Sequence, residues 1–173
     1  MSLRSNIETL YAEYEEERLE GSEAEVREQA SIEVLTVLNE FLDALEDDEV
    51  RAAEHVGGEW RANEWVKQGV LLNFALRDIS TYEYGGTTYN DVVPLASTRD
   101  LGGRGSRNTP DGTVVRRGAN IGDNVIMMSP SFVNMGARVG DGTLVDSCDT
   151  VGSCAQVGAN VKLGANTLIG GVL

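Results

Sequence analysis

Histidine is nearly missing from this chain: of 173 residues, His55 alone is one. Cysteine occurs twice, proline three times, aromatic residues make up 6%, and 14 basic residues face 28 acids. Each shortage excludes something. A single imidazole cannot furnish a zinc centre that needs three histidine ligands, and no metal site is expected. Cys148 and Cys154 are too few to staple a secreted fold, and unpaired thiols fit a reducing compartment. A net charge of −14 works against nucleic acid and anionic membrane partners. No apolar run reaches the ~18 residues of a membrane span. The N-terminus MSLRSNIETLYAEYEEERLE lacks the apolar core of a signal peptide, so a cytoplasmic location is expected.

The acidity is concentrated at the front. Residues 1–54 hold 17 acids and 4 bases, which leaves 11 acids and 10 bases for the rest. Ile7, Leu10, Tyr11 and Tyr14 at helical spacing predict a helix over residues 6–20. Ser22 with Glu25 forms a capping box for a longer amphipathic helix from Ala24 to Leu45. Gly57-Gly58 between RAAEHV and EWRA predicts a hairpin, and Asn63 is placed to cap a third helix from Glu64 to about Leu76. Trp60, Trp65 and Phe74 are expected in the core and His55 on the hairpin. Residues 78–96 read as short strands around Gly85-Gly86, followed by a Gly- and Arg-rich connector, STRDLGGRGSRNTPDGT, expected to be mostly loop.

What the sequence does have is a strict period of six. An aliphatic residue or Met stands at Val115, Ile121, Met127, Val133, Val139, Val145, Val151, Val157, Leu163 and Ile169, ten positions without a miss. Six of the ten are followed by Gly, and the residue four later is small, β-branched or aliphatic except at Asp149. Neither a helix nor a strand repeats every six residues, whereas a parallel β-helix does. Three hexads close one triangular coil, so residues 18 apart should stack at about 4.8 Å. The glycines are expected to serve the turns. The fold class is therefore α+β, with an N-terminal α-rich domain (1–97), a Gly/Arg-rich connector (98–114) and a left-handed parallel β-helix (115–173).

Five arginines (Arg99, Arg104, Arg107, Arg116 and Arg117) cluster at the entry to the repeat. Their planar forks suit carboxylates and phosphates, so the loop is either a receiver for a small dianion or a charged surface. GGRGS lacks the Gly-Lys-Ser/Thr of a phosphate loop. Asp146 follows an inward position and should project outward. Asp149 falls on an inward one, which suggests a bulge or a paired carboxylate. With no histidine in the repeat, the histidine-dependent acyltransferases and the zinc carbonic anhydrases of this fold are excluded.

The stretch PSFVNMGARVGDGTLVDSCDTVGSCAQVGANVKLGANTLIGGVL resembles the tetrahydrodipicolinate N-succinyltransferases of lysine and diaminopimelate synthesis. The likeness extends upstream through RAAEHVGGEWRANEWVKQGVLLNF, YNDVVPL and VRRGANIGDNV. It implies a homotrimer with sites between neighbouring β-helices. There succinyl-CoA, a co-substrate and not a resident cofactor, acylates the amino group of ring-opened tetrahydrodipicolinate. It also implies Asp146, in LVD, as a catalytic and substrate-binding residue and Arg107, three residues before Pro110, as substrate-binding. Cys148 and Asp149 depart from the family's Trp and Ala. Members of the family continue past IGGVL through further coils, a second carboxylate and much of the CoA groove. The chain is therefore expected to be an N-terminal portion with little turnover by itself. A non-catalytic trimeric scaffold or truncated paralogue is the alternative, and the choice of succinyl or acetyl donor stays open.

Overall fold

The computed structural model describes residues 2–21, 31–84, 86–93 and 100–172. Helix α1 (Leu3–Glu20) starts at Ser2, whose hydroxyl accepts the Ser5 amide at 3.2 Å. Helix α2 (Ile32–Glu46) starts at Ser31, which takes the Val34 amide at 3.3 Å. This corrects the expectation of one helix from Ala24 to Leu45, because Ser31 is extended (φ −72°, ψ 164°). A serine that satisfies an orphan amide favours a helix start over a helix interior. The Ser22–Glu25 capping box lies outside the described residues.

The expected hairpin forms from β1 (Ala53–Val56) and β2 (Glu59–Ala62) and leads into α3 (Glu64–Ala75). Asn63 stands at the cap position but does not cap; its Nδ2 donates to the Arg51 carbonyl at 2.7 Å instead, tying α3 to the approach of the hairpin. Ile7, Leu38, Phe41, Leu42, Val66, Val70 and Leu72 form the buried core of the three helices. Helix α3 lies so close on α2 that a Cβ at Gly69 would sit 2.6 Å from Phe41 Cζ. Trp65 joins this core, but Trp60 does not. It is 70% exposed, edge-to-face with His55 at 5.4 Å, because no layer of described residues covers the two-stranded ribbon. A second hairpin, β3 (Ser80–Tyr84) and β4 (Thr87–Asp91), carries stacked Tyr82 and Tyr89; the end of VVPLA lies outside the described residues.

The remainder is a parallel β-solenoid of ten short strands: β5 (Arg107–Asn108), β6 (Thr113–Val115), β7 (Asn120–Ile121), β8 (Ile126–Met127), β9 (Ser131–Val133), β10 (Arg138–Val139), β11 (Leu144–Val145), β12 (Thr150–Val151), β13 (Gln156–Val157) and β14 (Leu168–Ile169). They make three faces, ordered β5-β8-β11, β6-β9-β12-β14 and β7-β10-β13. The 18-residue stacks appear as expected: Val133 pairs with Val115 and Val151, Val139 with Ile121 and Val157, Val145 with Met127. Strand pairing also reaches upstream of Val115. Strand β5 pairs with β8 at a separation of 19, Arg107 opposite Ile126, so the first coil takes one extra residue in its Thr109–Gly112 corner. Two pieces of the connector expected as loop are thus strands of the solenoid.

The glycines that follow the inward residues act differently from expectation. None of Gly122, Gly140 and Gly152 has a positive φ; a Cβ at Gly140 would meet Ala159 N at 2.6 Å, and one at Gly152 would meet Gly171 N at 2.4 Å. They are there because the next coil's backbone is in the way. The left-handed corner comes two residues later, at Gly118, Asn124, Gly136, Gly142, Cys148, Cys154, Asn160 and Asn166. Asn and Gly are the residues that enter this region most readily.

The solenoid's β7-β10-β13 side meets the end of α2. Glu46, 1% exposed, accepts the Gly118 amide at 2.8 Å and lies 2.7 Å from Arg117 Nη1. The Glu46 carbonyl takes Asn120 Nδ2 at 2.7 Å. Asp48 is gripped by two forks, Arg51 at 2.7 and 2.6 Å and Arg138 at 2.8 and 3.0 Å. Met135 and Cys154, from solenoid corners, complete the helical core.

Two outcomes follow from this packing. Gly140→Ala should destabilise the protein by about 2 kcal/mol or more, since backbone cannot yield to the new Cβ. Coincident urea midpoints for Gly140→Ala and the wild type would refute the close-approach account. For Asp48, burial pushes the carboxyl pKa up, but the Arg138 and Arg51 forks outweigh burial and hold it below its ordinary value. A depressed carboxylate contributes stability above its unfolded pKa of about 3.9, lost as pH falls through the folded value. Asp48→Asn should therefore cost about 1–2 kcal/mol at pH 7, and the gap from wild type should close below about pH 4. Urea titrations across that range test it.

Candidate functional site

On the β5-β8-β11 face the inward positions Met127, Val145 and Leu163 are buried. The outward column beside them reads Arg107, Ile126, Leu144 and, by a single bridge to Leu144, Lys162. Asp146, half-buried, lies just beyond the inward Val145, at the edge of this face where β11 turns into the next corner. The expected site residues Arg107 and Asp146 are thereby brought to one face, two rungs apart, or roughly 10 Å along the axis. Lys162 was not singled out from sequence. Counting 18 on from Leu144 would have placed it in the same column.

The corner that follows Asp146 is held by Asp149. This carboxylate is 1% exposed and, of the two readings of it, it is the paired carboxylate and not a bulge, with backbone amides as its partners. Its Oδ2 accepts the Asp146 amide at 2.6 Å and its Oδ1 accepts the Thr167 amide of the next coil at 2.8 Å. Two backbone donors satisfy a buried carboxylate without a cation. Ser106 does the same for Val125 N at 2.9 Å, and Thr143 for Val161 N at 3.2 Å. Asp149 is thus a stronger version of a recurring corner device, and it fixes the backbone on which Asp146 sits. Asp146 Oδ1 accepts the Ser147 amide at 2.8 Å, which orients the carboxylate and leaves Oδ2 for a ligand.

The arginines do not converge on one anion. Arg104 pairs with Asp123 at 2.7 Å, Arg116 with Asp91 while lying 5.1 Å from the centre of the Phe74 ring, and Arg117 with Asp43 at 2.6 Å as well as with Glu46. Arg99 lies outside the described residues. Arg107 alone of the other four is exposed and has no side-chain partner among the described residues. A dianion-receiving loop is thereby replaced by three structural forks and one available one.

Cys148 and Cys154 are both unpaired, at successive left-handed corners. Cys148 is exposed beside a shallow hollow of about 190 Å³ that Pro130, Phe132 and Thr150 also line. Cys154 is buried, and burial pushes its thiol up to about 11. Thiolate is the reactive form. Iodoacetamide at pH 8 should therefore add one group to the native protein, mapping to Cys148, and two in urea. A native adduct at Cys154 would contradict the packing of that corner.

Residues 2–76 match the family described as Tetrahydrodipicolinate N-succinyltransferase N-terminal. The chain is 42% identical over 164 residues to the 2,3,4,5-tetrahydropyridine-2,6-dicarboxylate N-succinyltransferase of Parvibaculum lavamentivorans, covering 91% of this chain and 58% of that protein. The enzyme of the same name from Idiomarina loihiensis is 46% identical over 136 residues, covering 76% and 49%. That of Sodalis glossinidius is 38% identical over 176 residues, covering 99% and 61%. The chain thus spans about half the length of the curated relatives it matches. Similarity of this degree, running through both the helices and the solenoid, places the chain in the tetrahydrodipicolinate N-succinyltransferase family.

Proposed function

We propose that the protein transfers a succinyl group from succinyl-CoA to the amino group of ring-opened tetrahydrodipicolinate, with Asp146 as base and Arg107 as a carboxylate clamp. The observation that supports this reading is an oriented carboxylate at the edge of the face that carries an unengaged arginine, two rungs away. The ammonium of the substrate pairs with Asp146 and loses its proton to it as the amine attacks the thioester carbonyl. A C–N bond forms, the C–S bond breaks, and the thiolate of CoA leaves and takes up a proton. Arg107 offers a planar fork to a carboxylate at the other end of the substrate, which fixes the amine relative to Asp146.

In this reading the protein works as a homotrimer in the cytoplasm, with each site between neighbouring solenoids. No helix among the described residues is long and apolar enough to cross a membrane. In a thiol-release assay of the whole protein, CoA release should depend on tetrahydrodipicolinate. Asp146→Asn should lower kcat by about 10²–10⁴, with the thermal midpoint little changed because the Asp146 backbone amide still bonds to Asp149. Unchanged kcat in Asp146→Asn would remove the residue from the mechanism.

A further inference from the structure

Three properties alternate along the face that carries Arg107 and Asp146. Arg107 stands on the first rung, the apolar pair Ile126 and Leu144 on the second and third, Asp146 at the edge of the third, and Lys162 on the fourth. Lys162 is exposed and, like Arg107, has no side-chain partner among the described residues. Read along the axis, the column offers a cation, an aliphatic stretch, an anion and a second cation. The spacing from Arg107 to Lys162 is three rungs, roughly 14 Å between backbones. An extended seven-carbon chain spans roughly 7–8 Å at about 1.5 Å per bond before projection. Two long basic side chains leaning inward cover the difference.

We infer that Lys162 is a substrate-binding residue that takes the α-carboxylate of an α-amino dicarboxylate and so sets the direction in which the substrate lies. In this arrangement the carboxylate next to the amine pairs with Lys162, and the amine falls one rung below, at Asp146. The aliphatic stem crosses Leu144 and Ile126, and the far carboxylate reaches Arg107. The reverse direction would bring the amine near Arg107, two rungs from Asp146. The identity of the ligand rests on the acyl-transfer reading; the polarity of the face does not.

The test is isothermal titration of the assembled protein with three unreactive probes. L-2-Aminoheptanedioate carries all three charged groups, heptanedioate lacks the amine, and L-2-aminoheptanoate lacks the distal carboxylate. Lys162→Gln should weaken all three by tenfold or more, and Lys162→Arg should restore most of the binding. Arg107→Gln should weaken only the two probes with a distal carboxylate. Asp146→Asn should weaken only the two with an amine. Lys162 is exposed, so its substitution leaves the fold intact, which circular dichroism checks. Dissociation constants within twofold of wild type for Lys162→Gln on all three probes would overturn the inference, as would no binding of aminoheptanedioate to the wild type. Either result leaves the acyl-transfer reading to its own assay, in which Asp146→Asn is scored by turnover.

Discussion

Eighteen residues must bring the chain back to the same point on the prism, one strand spacing higher. Everything else in the solenoid follows from that closure. It stacks Val115 under Val133 and Val151, and it lines up outward side chains that are remote in sequence. It also explains why small residues occur where they do. A Cβ at Gly140 or Gly152 would occupy space already taken by backbone one coil above, so the constraint acts between coils and not within a turn. The side-chain oxygens of Ser106, Thr143 and Asp149 enforce the same closure from inside, each taking an amide of the next coil.

The helices are joined to this prism by charge as well as by apolar contact. Glu46 is almost wholly buried, which is costly for a carboxylate unless it is paired and hydrogen-bonded. It is both, through Arg117 and the Gly118 amide. Asp48 adds a second clamp through Arg138 one coil higher. One arginine of the entry, Arg117, thus meets two acids of the front, Asp43 and Glu46, across this junction. This leaves the β5-β8-β11 face free of such duties, and its Arg107 unengaged.

Much of this was legible in the sequence because a period of six has no competing explanation, and each inward residue could be assigned its stack by counting. The counting failed where the period itself changed. One extra residue in the Thr109–Gly112 corner hid the first rung at Arg107. The roles of glycine were misassigned because composition does not separate a positive φ from a close approach; the regular spacing of Asn124, Asn160 and Asn166 was the available signal for the former. Trp60 was expected inside on hydrophobicity alone, which says nothing about whether a second layer covers a hairpin. Asp149 was expected to be in a bulge or paired, and its actual partners could not be named, since backbone amides of a coil not yet folded are invisible in a linear text. Arg107 and Asp146 came from the family resemblance, and their placement on a common face required the register.

A triangular solenoid offers ligand-binding groups only at fixed heights, one per strand spacing, on each face. Recognition along the axis is consequently graduated like a ruler. A basic residue moved from Lys162 to the Leu144 position shifts a binding group by one graduation of about 4.8 Å, with no displacement of the main chain. Gain or loss of a whole 18-residue coil between two such groups changes their separation by the same amount while keeping both on one face. Substrate length in such a scaffold can therefore evolve in discrete steps, either by point substitution within a column or by duplication of a coil, and the three columns can change independently.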